Sequence, residues 1–316
     1  MRGLGKTPGK TEFILLLLLG ILWGIPYALT KISLTTIPPL TLVAARVSLA
    51  AAALWLVVFV LGSPRPKRAA FVPRLFVQGC LSCLLPYTLI AIGQRSVDSA
   101  LAGILNSTTP LFVFFINLLW TRHEAISLRK LLGVSIGLAG VVLLAGASAL
   151  LGLGQSVLGQ AAIILATMVS AISVIHGRRF DDIAPEITAA GTLTSAAVVL
   201  LPLSLLMERP FQSAPSTAAI AALLANAFLA TALGFVLYFR LIRTIGSVGT
   251  ASVGYLKLAV AVLIGCVLMG EPLTWAMMAG LVAIVLGVVA INERKFSVRS
   301  WLLFRGASRA STSVTG

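Results

Sequence analysis

The stretches that decide the fold of this chain read HEAISLRKLLGVSIGLAGVVLL at residues 123–144 and GEPLTWAMMAGLVAIVLGVVAI at residues 270–291. The second stretch matches the first without a gap when the sequence is shifted by 147 residues. The same shift superposes charged residues, prolines and glycines along the chain: Lys31 with Arg178, Pro38 with Pro185, Glu124 with Glu271, Gly133 with Gly280 and Gly140 with Gly287. The match predicts an internal repeat, in which the two halves of the chain form similar structures.

The composition indicates that lipid, not water, surrounds most of this protein. Hydrophobic residues make up 59% of the 316 positions, charged residues only 10%, and the mean hydropathy is +1.04. Soluble domains carry about 25% charged residues, because their surfaces must face water. The net charge of +15 does not indicate nucleic-acid binding, since the basic residues lie in short loops between apolar runs and form no continuous stripe.

Long uncharged runs divide the chain into membrane-spanning segments. A helix needs roughly 20 residues to cross the hydrocarbon layer, and the runs between charged residues supply ten such segments. The runs do not alternate in hydrophobicity, which excludes a strand barrel. With a cytoplasmic N-terminus, 19 of the 24 lysines and arginines fall on the inner side and three on the outer side. We therefore expect a multi-pass inner-membrane protein with both termini in the cytoplasm.

These observations predict an all-α membrane protein with ten transmembrane helices in two inverted five-helix repeats. Because five helices is an odd number, the second half enters the membrane from the side opposite to the first. We divide the chain into a cytoplasmic N-terminus (1–11), a first repeat (12–157), a second repeat (158–293) and a basic, disordered cytoplasmic tail (294–316). The glycines of the fifth and tenth predicted helices lie on one face of each helix, and small residues of this kind let membrane helices approach closely.

The chain resembles the drug/metabolite transporter superfamily, in its EamA-like ten-helix branch. The resembling segments are LWGIPYALTK at 22–31 and the longer segments at 100–144 and 247–292, and the resemblance covers nearly all of residues 12–293. It implies ten helices around a central cavity and export or exchange of small metabolites. The sequence departs from the family at Lys257, where proline is frequent, while Pro110 stands at the equivalent place in the first half.

Two cations lie inside predicted spans and are the first candidates for a substrate site. Lys257 is 14 residues from both Arg243 and Glu271, which places it near the middle of the bilayer. A charge there costs about 2.5–3.5 kcal/mol on insertion scales, so such residues usually face a cavity. Arg46 lies in the outer third of the second predicted helix, where either snorkelling or a role in the cavity fits.

Polar and aromatic side chains within the spans form a plausible lining for a substrate route. The candidates, besides the two cations, are Trp23, Tyr27, Gln78, Tyr87, Asn106, Asn226, Tyr238 and Tyr255. Each could equally hold helices together or anchor the protein at the membrane interface. No carboxylate occupies the middle of a span, which disfavours a carboxylate proton relay, and we expect His123 and His176 to be solvated or capping residues.

The leading hypothesis is a secondary transporter that exports or exchanges a small organic metabolite, an amino acid or organic anion among them, by alternating access. A membrane-embedded enzyme and a structural or sensory subunit are the alternatives. An enzyme usually needs clustered acids, histidines or metal ligands within the membrane, and a subunit would not need an inverted repeat. Cys80 and Cys83 lie in an apolar run and are interpreted as packing residues. We expect no cofactor, catalytic residue or metal site; a homodimer is left open.

Overall fold

The computed structural model describes residues 10–63, 71–93, 96–97, 99–121, 127–145, 150, 153–208, 210, 214–269 and 274–292. Every regular element within these ranges is helical. The α-helices are α1 (Lys10–Gly24), α2 (Pro26–Ser33), α3 (Pro39–Val60), α4 (Phe71–Gly79), α5 (Leu85–Gly93), α6 (Ser99–Asn106), α7 (Thr109–Ile116), α8 (Leu128–Ala145), α9 (Val157–His176), α10 (Pro185–Glu208), α11 (Thr217–Ala225), α12 (Gly234–Ala251), α13 (Val253–Met269) and α14 (Trp275–Asn292).

Six helical segments of the described chain are long and apolar enough to cross a membrane. They are Pro39–Val60, Leu101–Trp120, Val157–Phe180, Pro185–Glu208, Thr217–Ala251 and Trp275–Asn292, with Thr11–Gly24 as a shorter apolar helix. The predicted all-helical membrane protein is therefore confirmed, while the total of ten spans stays a prediction. Several predicted spans contain breaks: α1 ends before Pro26, and Phe71–Gly79 reaches Leu85–Gly93 through a π-helical segment.

Within the described ranges, three π-helical segments interrupt or end the α-helices: Cys80–Leu84 between α4 and α5, Asn117–Thr121 after α7, and Asn226–Leu233 between α11 and α12. The first and last are repeat equivalents, since a shift of 147 moves 80–84 onto 227–231. Wide turns of this kind inside membrane helices often occur at functional sites. Both halves of the chain therefore carry the same local irregularity at the same place, which the apolar sequence did not reveal.

The glycine faces of α8 and α14 pack directly against each other. A methyl group added at Gly133 would lie 2.9 Å from the carbonyl oxygen of Gly287, and one at Gly140 would lie 2.7 Å from that of Gly280. Since lipid offers no hydrophobic drive for helix association, such backbone contact supplies the van der Waals energy that holds the pair together. The close approach predicted from these glycines is confirmed. Under the 147-residue shift the Gly133–Gly287 contact becomes the Gly280–Gly140 contact, as expected for two halves related by a pseudo-twofold axis.

One contact joins two residues that are themselves repeat equivalents. Ser107, at the break between α6 and α7, donates from Oγ to the carbonyl oxygen of Gly254, 147 residues away, at 3.4 Å. Beside it, α1 packs on α13, where a methyl group at Gly20 would lie 2.7 Å from Leu256 Cβ. The helix pairs α1–α13 and α8–α14 thus bring residues from the two halves of the chain together near this point.

Two glutamates hold α3 against α10 at opposite ends. The Glu208 carboxylate accepts hydrogen bonds from the backbone N–H groups of Leu40 and Thr41 at 3.0 and 2.7 Å, which are otherwise unpaired at the start of α3. At the other end, Ser63 Oγ donates to Glu186 Oε1 at 2.6 Å. Because both ends are fixed, α3 holds Arg46 at a defined place in the bundle.

Candidate functional site

The π-helical segment Asn226–Leu233 is the structural centre of the candidate site. Trp23 of α1 donates from Nε1 to the carbonyl oxygen of Ala230 at 3.0 Å. Arg46 of α3 donates from Nε to Thr231 Oγ1, and that hydroxyl donates to the carbonyl oxygen of Asn226 at 2.9 Å. The irregular turn therefore offers a carbonyl and a hydroxyl group to side chains from two other helices. In a regular helix that carbonyl would accept a hydrogen bond from the helix's own backbone.

Arg46 is a half-buried cation with much of its hydrogen-bonding capacity unused. Its guanidinium lies over the Tyr87 ring at 5.7 Å from the centroid, in the geometry of a cation–π contact. It forms no ion pair with any residue that the structure describes. A guanidinium has five N–H donors in a planar fork, of which Thr231 uses one. The remaining donors match the geometry of a carboxylate or phosphate.

An aromatic cluster lies next to this cation. Trp23 is 5.4 Å from Tyr238 and 6.1 Å from Phe235, measured between ring centroids. Trp23 is half-buried, whereas Tyr238 is 6% exposed, so the indole is the more accessible of these two rings. Aromatic walls of this kind enclose the apolar body of a ligand, and the indole N–H is already paired.

A polar cluster continues from Tyr238 toward the end of α9. The Tyr238 hydroxyl interacts with Ser173, and Ser173 Oγ lies 2.6 Å from Ser82 Oγ. Gln78 joins both serines, and its Oε1 lies 2.7 Å from His176 Nδ1. We name the Gln78–His176 pair the inner contact, following the predicted orientation. It joins α4 to α9 through a glutamine that is completely buried.

A simpler contact closes the opposite end of the route. Asn226 donates from Nδ2 to Thr30 Oγ1 at 3.1 Å, while its Oδ1 is buried without a hydrogen-bond partner in the described chain. Nearby, Ser33 Oγ donates to the carbonyl oxygen of Ala219 at 3.3 Å. We name the Thr30–Asn226 pair the outer contact. A chain of polar groups thus runs from the outer contact, past Arg46 and Trp23, to the inner contact.

Lys257 is placed by its neighbours on α13. Tyr255 contacts α8, Leu256 contacts α1 and Leu258 contacts α6. Since successive helical residues are about 100° apart, Lys257 lies between the α1 and α6 faces, on the side of α13 away from α8. The residue is half-buried and has no hydrogen bond or ion pair within the described part of the chain. Gly24 packs on the backbone of Lys257, so α1 separates this cation from the segment that holds Arg46.

The structure brings together six of the ten predicted site residues and separates others. Those in the connected route are Trp23, Arg46, Gln78, Tyr87, Asn226 and Tyr238. Tyr255 is completely buried, donates to the carbonyl oxygen of Val134 at 3.0 Å and packs on Gly137, an arrangement that favours a packing role. Asn106 is half-buried at the end of α6, and the side chain of Tyr27 lies outside the described residues.

Sequence reasoning missed four members of the route: Thr30, Ser173, His176 and Thr231. His176 is not the solvated or capping residue that we expected, because it is half-buried and bonded to a buried glutamine. The repeat is the signal that could have found it. His176 and Gln78 are polar, whereas their equivalents after the 147-residue shift, Leu29 and Ala225, are apolar. His123 lies outside the described residues. Ser173 and Thr231 gave no signal, since single hydroxyls are common in membrane helices.

The fold is that of a multi-pass membrane protein with a route of polar side chains between its helices. The model of the EamA-like transporter family matches the chain twice, over residues 10–146 and 157–293. The chain therefore belongs to the EamA-like transporter family, as the sequence resemblance predicted.

Similar proteins carry transporter names without a stated substrate. The uncharacterized inner membrane transporter YedA of Escherichia coli K12 is 27% identical over 281 residues, covering 87% of this chain and 89% of its own. The uncharacterized transporter YvbV of Bacillus subtilis is 24% identical over 293 residues, covering 92% and 94%. A solved structure described as "Crystal structure of protein" has a TM-score of 0.74 at 18% identity, covering 89% of this chain and 98% of its own. This last likeness concerns the fold alone.

Proposed function

We propose that this protein is a secondary transporter of the inner membrane that exports or exchanges small organic anions, amino acids and carboxylates among them, by alternating access. The observation that carries the proposal is a pair of cations, Arg46 and Lys257, on the two sides of α1 without an acidic partner in the described residues. A buried cation without a counterion is costly. An anionic substrate would supply that counterion through charge-assisted hydrogen bonds.

The repeat supports the mechanism. Ten helices in two inverted halves, with boundaries at 12–157 and 158–293, would place one closing contact at each end of a shared site. The outer and inner contacts fit this expectation, since each joins the end of one half's first helix to the third helix of the other half. Opening one while the other stays closed would expose Arg46, which lies on the route between them, to one side at a time.

The experiment uses the full-length protein reconstituted in liposomes, with succinate, L-glutamate and glucose 6-phosphate as anionic probes and glycerol as the neutral probe. We expect at least one anion to bind and to cross the membrane. Lys257→Gln should weaken its binding by roughly 10–100-fold, because a hydrogen bond to a charged group contributes about 1.5–3 kcal/mol. Lys257→Arg should retain part of the affinity.

Two further variants sharpen this test. Arg240→Gln removes an exposed cation of α12 and should leave binding unchanged, so it separates the site from overall charge. Lys257→Pro restores the residue frequent in the family and should give a folded protein with altered selectivity. Wild-type affinity in Lys257→Gln, or transport of glycerol with no anion bound or moved, would refute the proposal of an anion site.

A further inference from the structure

The inner contact contains a titratable side chain inside an otherwise uncharged network. His176, in the last turn of α9, has its Nδ1 atom 2.7 Å from Gln78 Oε1 and its ring edge-on to Phe180 at 5.6 Å. Gln78 and Ser173 are completely buried, whereas the imidazole is half-buried. The histidine therefore lies at the edge of the buried cluster.

The hydrogen bonds determine which nitrogen of His176 carries the proton. Gln78 Nε2 lies 3.2 Å from the carbonyl oxygen of Ser173, and a carbonyl can only accept. The atom at that position is consequently the amide nitrogen, and Gln78 Oε1 is the acceptor that faces the imidazole. His176 Nδ1 must then donate, which leaves Nε2 as the basic atom. Nε2 has no hydrogen-bond partner among the residues that the structure describes.

The charges around the imidazole all have the sign that an imidazolium would have. Arg74 of α4 and Arg179 of the 3₁₀-helical segment after α9 act on it electrostatically, and the neutral Tyr238 of α12 reaches the network through Ser173. The nearest described acid on the same loop, Asp181, interacts instead with Arg178 and Arg243. The closed contact thus accommodates a neutral imidazole and disfavours a charged one.

The other half of the chain has no such group at the equivalent place. The 147-residue shift moves His176 onto Leu29 and Gln78 onto Ala225, both apolar. The outer contact is made one residue away from these positions by Thr30 and Asn226, whose side chains do not titrate in water. A change in pH can therefore act on the inner contact and leave the outer contact as it is.

We propose that His176 is a proton-binding site of this transporter, at which Nε2 takes a proton from cytoplasmic water and the resulting imidazolium separates from Gln78, opening the inner end. Release of the proton restores the neutral imidazole and the closed contact. The proposal rests on the alternating access proposed above, and goes beyond it, because the ligand is a proton and not the organic substrate. Because no carboxylate lies in the middle of a predicted span, His176 would be the group through which this transporter responds to protons.

The first measurement follows the proton itself. The full-length protein contains two histidines, so the His123→Gln variant, labelled with ¹⁵N-imidazole and reconstituted in nanodiscs, reports on His176 alone. We expect the Nδ1–H tautomer at about pH 8 and a doubly protonated ring only as the pH falls toward about 4, because the closed contact disfavours the imidazolium. An Nε2–H tautomer, or a ring that stays neutral over this range, would overturn the proposal.

The second measurement follows the opening and needs no substrate. Spin labels replace exposed residues in a variant whose three cysteines are changed to alanine, with one pair at Val72 of α4 and Ile172 of α9 near the inner contact. The matched control pair is Ile32 of α2 and Ile220 of α11 near the outer contact. Acidification should lengthen the inner distance and leave the outer distance unchanged or shorter.

Two substitutions identify the responsible group. His176→Gln cannot take the proton and should abolish the pH response of the inner pair. Gln78→Glu places an anion beside the imidazole, so the ring should protonate at a pH higher by about one unit or more while the contact stays closed. A pH response that persists in His176→Gln, or an inner distance that is constant while His176 titrates, would overturn the proposal. Because no probe anion is present, these results stand independently of the Lys257 experiment.

Discussion

The outer and inner contacts differ in chemistry although they occupy similar places in the two halves. The outer contact is one hydrogen bond of 3.1 Å between neutral side chains, and it leaves Asn226 Oδ1 without a partner in the described chain. The inner contact belongs to a network in which Gln78 bonds to His176 and to two serines. The repeat therefore determines where the bundle closes, while the individual side chains determine what can open it.

The largest expected effect comes from making the inner end resemble the outer end. Gly79 is the repeat equivalent of Asn226, and a Cβ at Gly79 would lie 2.7 Å from the carbonyl oxygen of Thr192 and 2.8 Å from Ser195 Cβ. Gly79→Asn should separate α4 from α10 and lower the free energy of unfolding by about 1–3 kcal/mol or more, since a packed backbone cannot yield.

Thermal denaturation in detergent would measure this loss. Gly103→Ala is the control, because its added methyl group meets only Leu258 Cδ1 at 3.4 Å, and it should change the midpoint little. Equal stability of Gly79→Asn and wild type would show that the two ends tolerate the same side chain.

A smaller effect is expected from removing the central amide at each end. Gln78→Leu leaves His176 Nδ1–H without its partner, although Ser82 and Ser173 still bond to each other, and a buried unsatisfied group costs about 1–3 kcal/mol. Asn226→Leu removes one hydrogen bond together with the buried oxygen that has no partner, so its cost should stay within about 1 kcal/mol. The two midpoints of denaturation should differ in this order, and a greater loss in Asn226→Leu would reverse the comparison.

The smallest effect is expected from replacing Asp181, and it separates the pH response of this acid from that of His176. Partial burial raises the pKa of Asp181 above 3.8, although the charges of Arg178 and Arg243 oppose this shift. An acid whose pKa is raised by folding binds its proton more tightly in the folded state, so the folded state gains stability as the pH falls through the raised pKa. Above that pKa its contribution does not change with pH.

Asp181→Asn should therefore remove a small gain in stability at acidic pH and leave the inner spin-label distance responsive to pH. Denaturation midpoints measured with decreasing pH would check the first part. Loss of the distance response in Asp181→Asn would assign the switch to the acid instead of the histidine.

Much of the architecture follows from features that can be read locally. Long apolar runs exclude a water-exposed fold, and glycines spaced along one helix face predict close packing, as Gly133 and Gly140 confirm. The repeat was visible because charged residues, prolines and glycines are rare in apolar helices, so their recurrence after 147 residues stands out.

The candidate site was predicted only in part, because apolar membrane sequences give little information about which side of a helix faces the other helices. Trp23, Arg46 and Tyr87 were recognised by residue type, but their meeting depends on the π-helical turn at Asn226–Leu233, which no local pattern marked. Tyr255 was selected by the same reasoning and proves to pack between α13 and α8.

By itself, therefore, the sequence determined that this protein lies in lipid, that it is helical and that its halves repeat, because these properties depend on the summed hydrophobicity and spacing of residues along each segment. Only the tertiary structure decided which polar side chains share a route and that His176 bonds to Gln78, 98 residues away. Such contacts depend on the rotation of each helix against its neighbours, which packing between helices sets and hydrophobicity along one helix does not.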